Sequence, residues 1–134
     1  MRTYRHDIAG DTVAVHIPED WADLDTFKDW FVEASSRGPI AVDTETTGLD
    51  VYSDGYRLRT AQFGDAHTAW VLHFERGGWF AEFARSALRQ DARYLIHNAA
   101  FDWLVLDRHA GVALEELAPR TIDTKILAAL VDPR

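Results

Sequence analysis

Two carboxylates stand one residue apart in the string Ile40-Ala41-Val42-Asp43-Thr44-Glu45-Thr46-Thr47-Gly48-Leu49. The apolar start of this string reads as a buried strand, and strand side chains alternate between faces. Asp43 and Glu45 therefore project together from the strand's end, with Val42 and Thr44 on the other side. Two acids held side by side repel unless a positive charge lies between them. A divalent metal ion is the usual solution, because hard cations take carboxylate oxygens. The alternative is two solvated acids at a strand end.

A second cluster, Asn98-Ala99-Ala100-Phe101-Asp102, falls where a short apolar strand turns into a helix. Asn98 suits the N-cap position. Asp102 then lies in the first helical turn, near strand ends, where α/β proteins place ligands. It is positioned to add a third oxygen ligand beside Asp43 and Glu45. Phe101 packs next to it, either in the core or against whatever fills the cleft. Asp123 either caps the last helix or stands near the metals as a further acid. The six histidines show no ligand spacing. Arg57 and Arg59 read as a solvated face or as phosphate contacts.

The elements that position these residues follow from periodicity. Thr3 to Ile8 and Thr12 to Ile17 alternate around Gly10-Asp11, a β-hairpin pattern. Asp20 is a plausible N-cap for a helix in which Leu24, Phe27, Trp30, Phe31 and Ala34 recur at helical spacing, ending near residues 35–38. The acidic strand covers about residues 39–45, and a polar loop runs to Gly55. Residues 57–63 and 68–73 form two more strands around a turn at Gly64-Asp65. Gly77-Gly78 precede a helix with Phe80, Phe83, Ala84, Ala87 and Leu88. Tyr94-Leu95-Ile96 is a short strand, followed by a helix over about 99–110 and a strand-then-helix unit over 121–131. The pattern predicts an antiparallel three-strand meander plus parallel strands, flanked by helices, in an α/β fold.

With 134 residues the chain suits one domain: a hairpin and helix over about 1–37 and a motif-bearing core over about 38–134. A hydrophobic content of 47% is enough for a packed core, which excludes a disordered chain. Zero cysteines exclude disulfides and thiolate zinc sites. There is no stretch long and apolar enough to read as a membrane span and no signal-peptide pattern, so the expectation is a cytoplasmic protein with no membrane partner. A net charge of −8 argues against a broad phosphate-gripping surface. It leaves a nuclease whose metals neutralise phosphate locally.

Taken together, Asp43-Thr44-Glu45 and Asn98-x-x-Phe101-Asp102 resemble the first two motifs of the DEDD 3′–5′ exonuclease superfamily, on a ribonuclease H-like fold. Asp43 to Leu49, as Asp-Thr-Glu-Thr-x-x-Leu, is similar to the proofreading domains of family A DNA polymerases, bacterial or phage. So is the strand-to-helix step Ile122-Asp123-Thr124-Lys125-Ile126-Leu127. The resemblance covers roughly residues 38–134. It implies hydrolysis at a single-stranded DNA 3′ end by two ions, Mg²⁺ or Mn²⁺, roughly 3.5–4 Å apart. The products would be nucleoside 5′-monophosphates. Asp43 would bridge both ions, Glu45 would bind the nucleophile-side ion, and Asp102 would serve the second, partly through water. Leu49 would wedge against the terminal base, Thr46 would contact the terminal nucleotide, and Asn98 and Phe101 would shape the cleft. Little base specificity is expected of such a site. DNA is favoured over RNA only by the resemblance. The implied partner is a polymerase domain in the parent chain, and the implied location is a bacterial cell or the host cytoplasm of a phage.

One family element is missing. The third motif, Tyr-x-x-x-Asp or His-x-x-x-Asp, does not follow Asp102; His16-Ile17-Pro18-Glu19-Asp20 fits its letters but precedes the first motif. The expectation is a C-terminally incomplete domain, truncated before that motif, with three of four acids. Loss of a water-orienting group commonly costs ~10²–10⁴-fold in rate, so activity would be weak or absent. Self-association through an exposed edge is expected as well. A degenerate exonuclease fold that binds single strands or positions a polymerase is the alternative, and a plain structural domain is a third reading.

Overall fold

Two positive backbone angles begin the fold. Strands β1 (Arg2–Ile8) and β2 (Asp11–Ile17) pair with Ile8 opposite Asp11, which leaves only Ala9 and Gly10 to turn the chain. Their φ values are 52° and 90°, as a two-residue hairpin turn of matching twist requires. The turn lies one residue earlier than the Gly10-Asp11 reading, because Asp11 already opens the second strand. The structure, a computed structural model, describes residues 1–131. The C-terminal end of the 1–134 domain and of its 38–134 core therefore lies outside the described residues.

Helix α1 (Trp21–Arg37) starts where the Asp20 carboxylate accepts from the Asp23 N–H at 2.9 Å. It buries Leu24, Phe27, Phe31 and Ala34, the stripe read from the sequence. Strands β3 (Ile40–Thr46), β4 (Leu58–Gly64) and β5 (Thr68–Leu72) form the expected antiparallel meander. The Asp65 carboxylate accepts from the His67 and Thr68 N–H groups and fixes the β4–β5 turn. Helix α2 (Gly78–Leu88) buries Ala81, Ala84, Ala87 and Leu88. Phe80 and Phe83 are only half-buried at its margins, because the small residues let the helix approach the sheet closely. Strand β6 (Tyr94–Ile96) leads into α3 (Ala99–Val105), which opens into a π turn over Leu106–Ala110. A four-residue helix α4 (Leu114–Leu117), strand β7 (Thr121–Asp123) and helix α5 (Thr124–Val131) complete it.

The seven strands make one mixed sheet in the order β1-β2-β5-β4-β3-β6-β7. β2 joins the meander by running parallel to β5, and β3, β6 and β7 are mutually parallel neighbours. The two faces differ sharply. Val42, Thr44, Ala61, Phe63, Trp70, Leu72, Tyr94 and Ile96 share the helix-covered face and are all buried. Phe27 of α1 sits on it, with ring centroids 5.2 Å from Phe63 and 5.6 Å from Trp70. On the other face lie Ala41, Asp43, Glu45, Thr60, Gln62, Val71, Leu95 and Ile122, and none of these is fully buried. β3 is thus a central strand with a packed side and an open side.

Candidate active site

The alternation of β3 holds residue by residue. Asp43 and Glu45 are exposed on the open face, while Val42 and Thr44 are buried behind them. In the ladder Asp43 stands opposite Gln62 and Glu45 opposite Thr60. The register then shifts between Glu45 and Thr46. Such irregularities bend a strand and re-aim its last side chains. Among the described residues, neither carboxylate has a cationic side chain within ion-pair distance.

Asp102 reaches the same strand from the opposite side. It is 3% exposed, and its carboxylate accepts a 2.6 Å hydrogen bond from the buried Thr44 hydroxyl. Burial pushes its carboxyl up to about 6; the Thr44 hydrogen bond opposes the rise, and the negative charge of Asp43 adds to it. Asp102 is therefore close enough to feel Asp43, although its side chain is committed to the helix-covered face. Thr44 went unassigned in the sequence reading; its signal is a hydroxyl on the buried face of an otherwise apolar strand. Among the described residues no three His, Cys, Asp or Glu side chains form a group that could hold a metal ion. The structure brings Asp43 and Glu45 together as an exposed pair and sets Asp102 behind them. The donor set fits a hard cation in kind: two carboxylates with no ion-pair partner among the described residues, and across the ladder from Asp43 the buried Gln62 Oε1, which has no hydrogen-bond partner among them either.

The strand-to-helix junction is built differently from the N-cap reading. Asn98 occupies the cap position, but its side chain makes no cap hydrogen bond and its backbone is left-handed, φ 58° and ψ 55°. That conformation is uncommon outside glycine, and asparagine tolerates it best. It turns the chain so that the Asn98 and Ala99 N–H groups both donate to the Asp123 carboxylate, at 3.2 and 2.9 Å. The same carboxylate accepts from the Lys125 and Ile126 N–H groups at the start of α5. Asp123 caps two helices at once. Desolvation raises its pKa, but the four backbone donors outweigh that and hold it below the ordinary carboxylate range. His97 adds a 3.1 Å contact to Thr124 Oγ1 across the same junction.

The loop after β3 is pinned at its base and free at its tip. Thr46 Oγ1 donates to the Gly48 carbonyl at 2.7 Å, and Thr47 and Arg57 exchange two hydrogen bonds. Val51 and Tyr56 are buried, and His109 donates from Nε2 to the Val51 carbonyl. Leu49, between these anchors, is 87% exposed and covers no part of the core. Phe101 is half-buried and packs on the core. Arg57 and Arg59 both reach Glu75, so each is already partnered.

Comparison with known proteins gives the family and the fold. Residues 19–132 match the sequence model of a family described as 3′–5′ exonuclease. The DNA polymerase of Mycobacterium phage L5 is 47% identical over 134 residues, which is 100% of this chain and 22% of the polymerase. The chain thus spans about a fifth of that curated relative. The EXD2 exonuclease domain superposes with a TM-score of 0.66 at 14% identity, over 90% of this chain and 64% of that one. RNase D of Escherichia coli gives 0.61 at 24% identity, over 88% and 29%. At those identities the structural likeness shows the fold, a ribonuclease H-like exonuclease architecture.

Proposed function

Since the chain belongs to the 3′–5′ exonuclease family, we propose that it is the exonuclease unit of a phage-type DNA polymerase and shortens DNA from its 3′ end with the help of divalent metal. The observation that carries this reading is the exposed Asp43–Glu45 pair, which has no cationic partner among the described residues. A bound Mg²⁺ or Mn²⁺ would supply Lewis-acid polarisation of the scissile phosphate and a more acidic water.

The chain's own residues then divide the work. Asp43 and Glu45 would hold the cation at the open face. Asp102, set behind the pair, would hold a water rather than bind directly, with Thr44 fixing its carboxyl. Leu49 is free to lie against the terminal base, and apolar contact of this kind is indifferent to base identity. Thr46 would contact the terminal nucleotide, and Asn98 and Phe101 would shape the cleft. Residues 1–134 would act as one unit that a polymerase supplies with single-stranded 3′ ends, in the cytoplasm of the cell in which the phage replicates.

The test is a 5′-labelled single-stranded oligodeoxynucleotide incubated with the chain and Mn²⁺. Shortening from the 3′ end is expected, and Asp43→Ala should lower it by about 10²-fold or more. Because Asp102 lies on the other face, a second reading stays in view: a non-catalytic module that binds or positions single strands. Strand binding that ignores metal, without shortening, would establish that reading instead.

A further inference from the structure

Gln62 is a polar residue of β4 to which neither the sequence motifs nor the family reading gives a role. It stands directly opposite Asp43, and Thr60 stands opposite Glu45, so all four side chains share the open face. Directly opposite Cβ atoms lie roughly 4.5–5.5 Å apart, which puts the Gln62 amide beside whatever the acids bind. The amide is fixed at one end only. Its nitrogen donates to Thr60 Oγ1 at 2.5 Å, while its Oε1 is buried and has no partner among the described residues. An orphaned buried carbonyl is destabilising, and an apolar side chain of the same size avoids that penalty. Asp43 and Glu45, across the ladder from Gln62 and Thr60, carry carboxylates that accept and do not donate, so a donor bound at the acids can fill that place.

We propose that Gln62 is a positioning residue of the acidic site. Thr60 fixes the amide so that Oε1 accepts a hydrogen bond from the hydration shell of a divalent cation held at Asp43 and Glu45. This rests on the exonuclease reading of that pair. Outer-shell partners of this sort set ligand orientation, and their loss weakens metal affinity about 10–100-fold.

The experiment is a thermal-shift titration of the full chain with MnCl₂. Gln62→Met, which keeps the bulk and removes the acceptor, should raise the Mn²⁺ midpoint about tenfold or more while leaving the Tm without metal unchanged or slightly higher. Gln62→Glu keeps an oxygen at that place and should hold the midpoint within about twofold or lower it. Thr60→Val leaves Gln62 in place but frees its amide, and should shift the midpoint in the same direction as Gln62→Met. A wild-type midpoint in both Gln62→Met and Thr60→Val overturns the role of Gln62 alone, as does a fall in metal-free Tm with the midpoint unmoved. A wild-type chain with no Mn²⁺ response that Asp43→Ala removes overturns the acidic-pair reading together with it.

Discussion

Asp102 shows how one residue can be legible in type and illegible in setting. Its identity and its place in the first turn of a helix follow from the letters around it. Its burial and its bond to Thr44, 58 residues away, depend on how α3 lies against β3, which no local pattern encodes. That setting has a measurable consequence. The Asp102 carboxyl titrates near 6 in the fold against 3.8 for the free group. The folded state therefore binds more protons between those values, and its stability falls as pH rises through them. Above about pH 6 the full penalty remains, on the order of 3 kcal/mol. Asp102→Asn keeps an acceptor for Thr44 and removes the charge, so it should flatten the stability curve between pH 4 and 6 and be more stable than wild type at pH 7. Urea unfolding across that range reads both effects. By contrast, the shared side of Asp43 and Glu45 was legible outright, because strand alternation depends on nothing beyond the strand itself.

At the scale of elements, the features with local periodicity were readable and the non-local joints were not. The hairpin, α1 and the three-strand meander follow from alternation and apolar spacing. The four-residue helix α4 is too short to show any period. The parallel pairing of β2 with β5 joins segments more than fifty residues apart in sequence. The junction at Asn98 misleads for a clear reason: a residue with cap chemistry stands at the cap position, but its left-handed backbone hands the task to Asp123. The capping of α5 by Asp123 was one of the two open readings, and the bonds to Asn98 and Ala99 go beyond it. Because one carboxylate anchors both α3 and α5, Asp123→Ala should lower the Tm by more than loss of an ordinary single cap such as Asp20→Ala. Its depressed pKa gives the sign of the pH effect: the stabilisation is present above the ordinary carboxylate range and is lost as pH falls through the folded value. Thermal unfolding of Asp123→Ala and Asp20→Ala at pH 7 and at pH 3 checks this, and the gap between the two variants should shrink at the lower pH.

Over the whole molecule, the sheet has a packed face, on which α1 lies, and an open face that carries Asp43 and Glu45. In helix α5, Ile126, Leu127, Leu130 and Val131 are all exposed. Among the described residues no helix is long and apolar enough to cross a membrane. A net charge of −8 repels a polyanion at long range, and the effect is screened by salt over about 10 Å at 0.1 M. In the proposed function, recruitment of a nucleic-acid end to such a surface would turn on local neutralisation at Asp43 and Glu45. Electron paramagnetic resonance of Mn²⁺ tests this most directly, by following loss of the free-ion signal as protein is added. The wild-type chain is expected to take up Mn²⁺ and the Asp43→Asn/Glu45→Gln double variant, folded by circular dichroism, to leave it free; equal uptake by the two proteins, or none by either, would contradict the account.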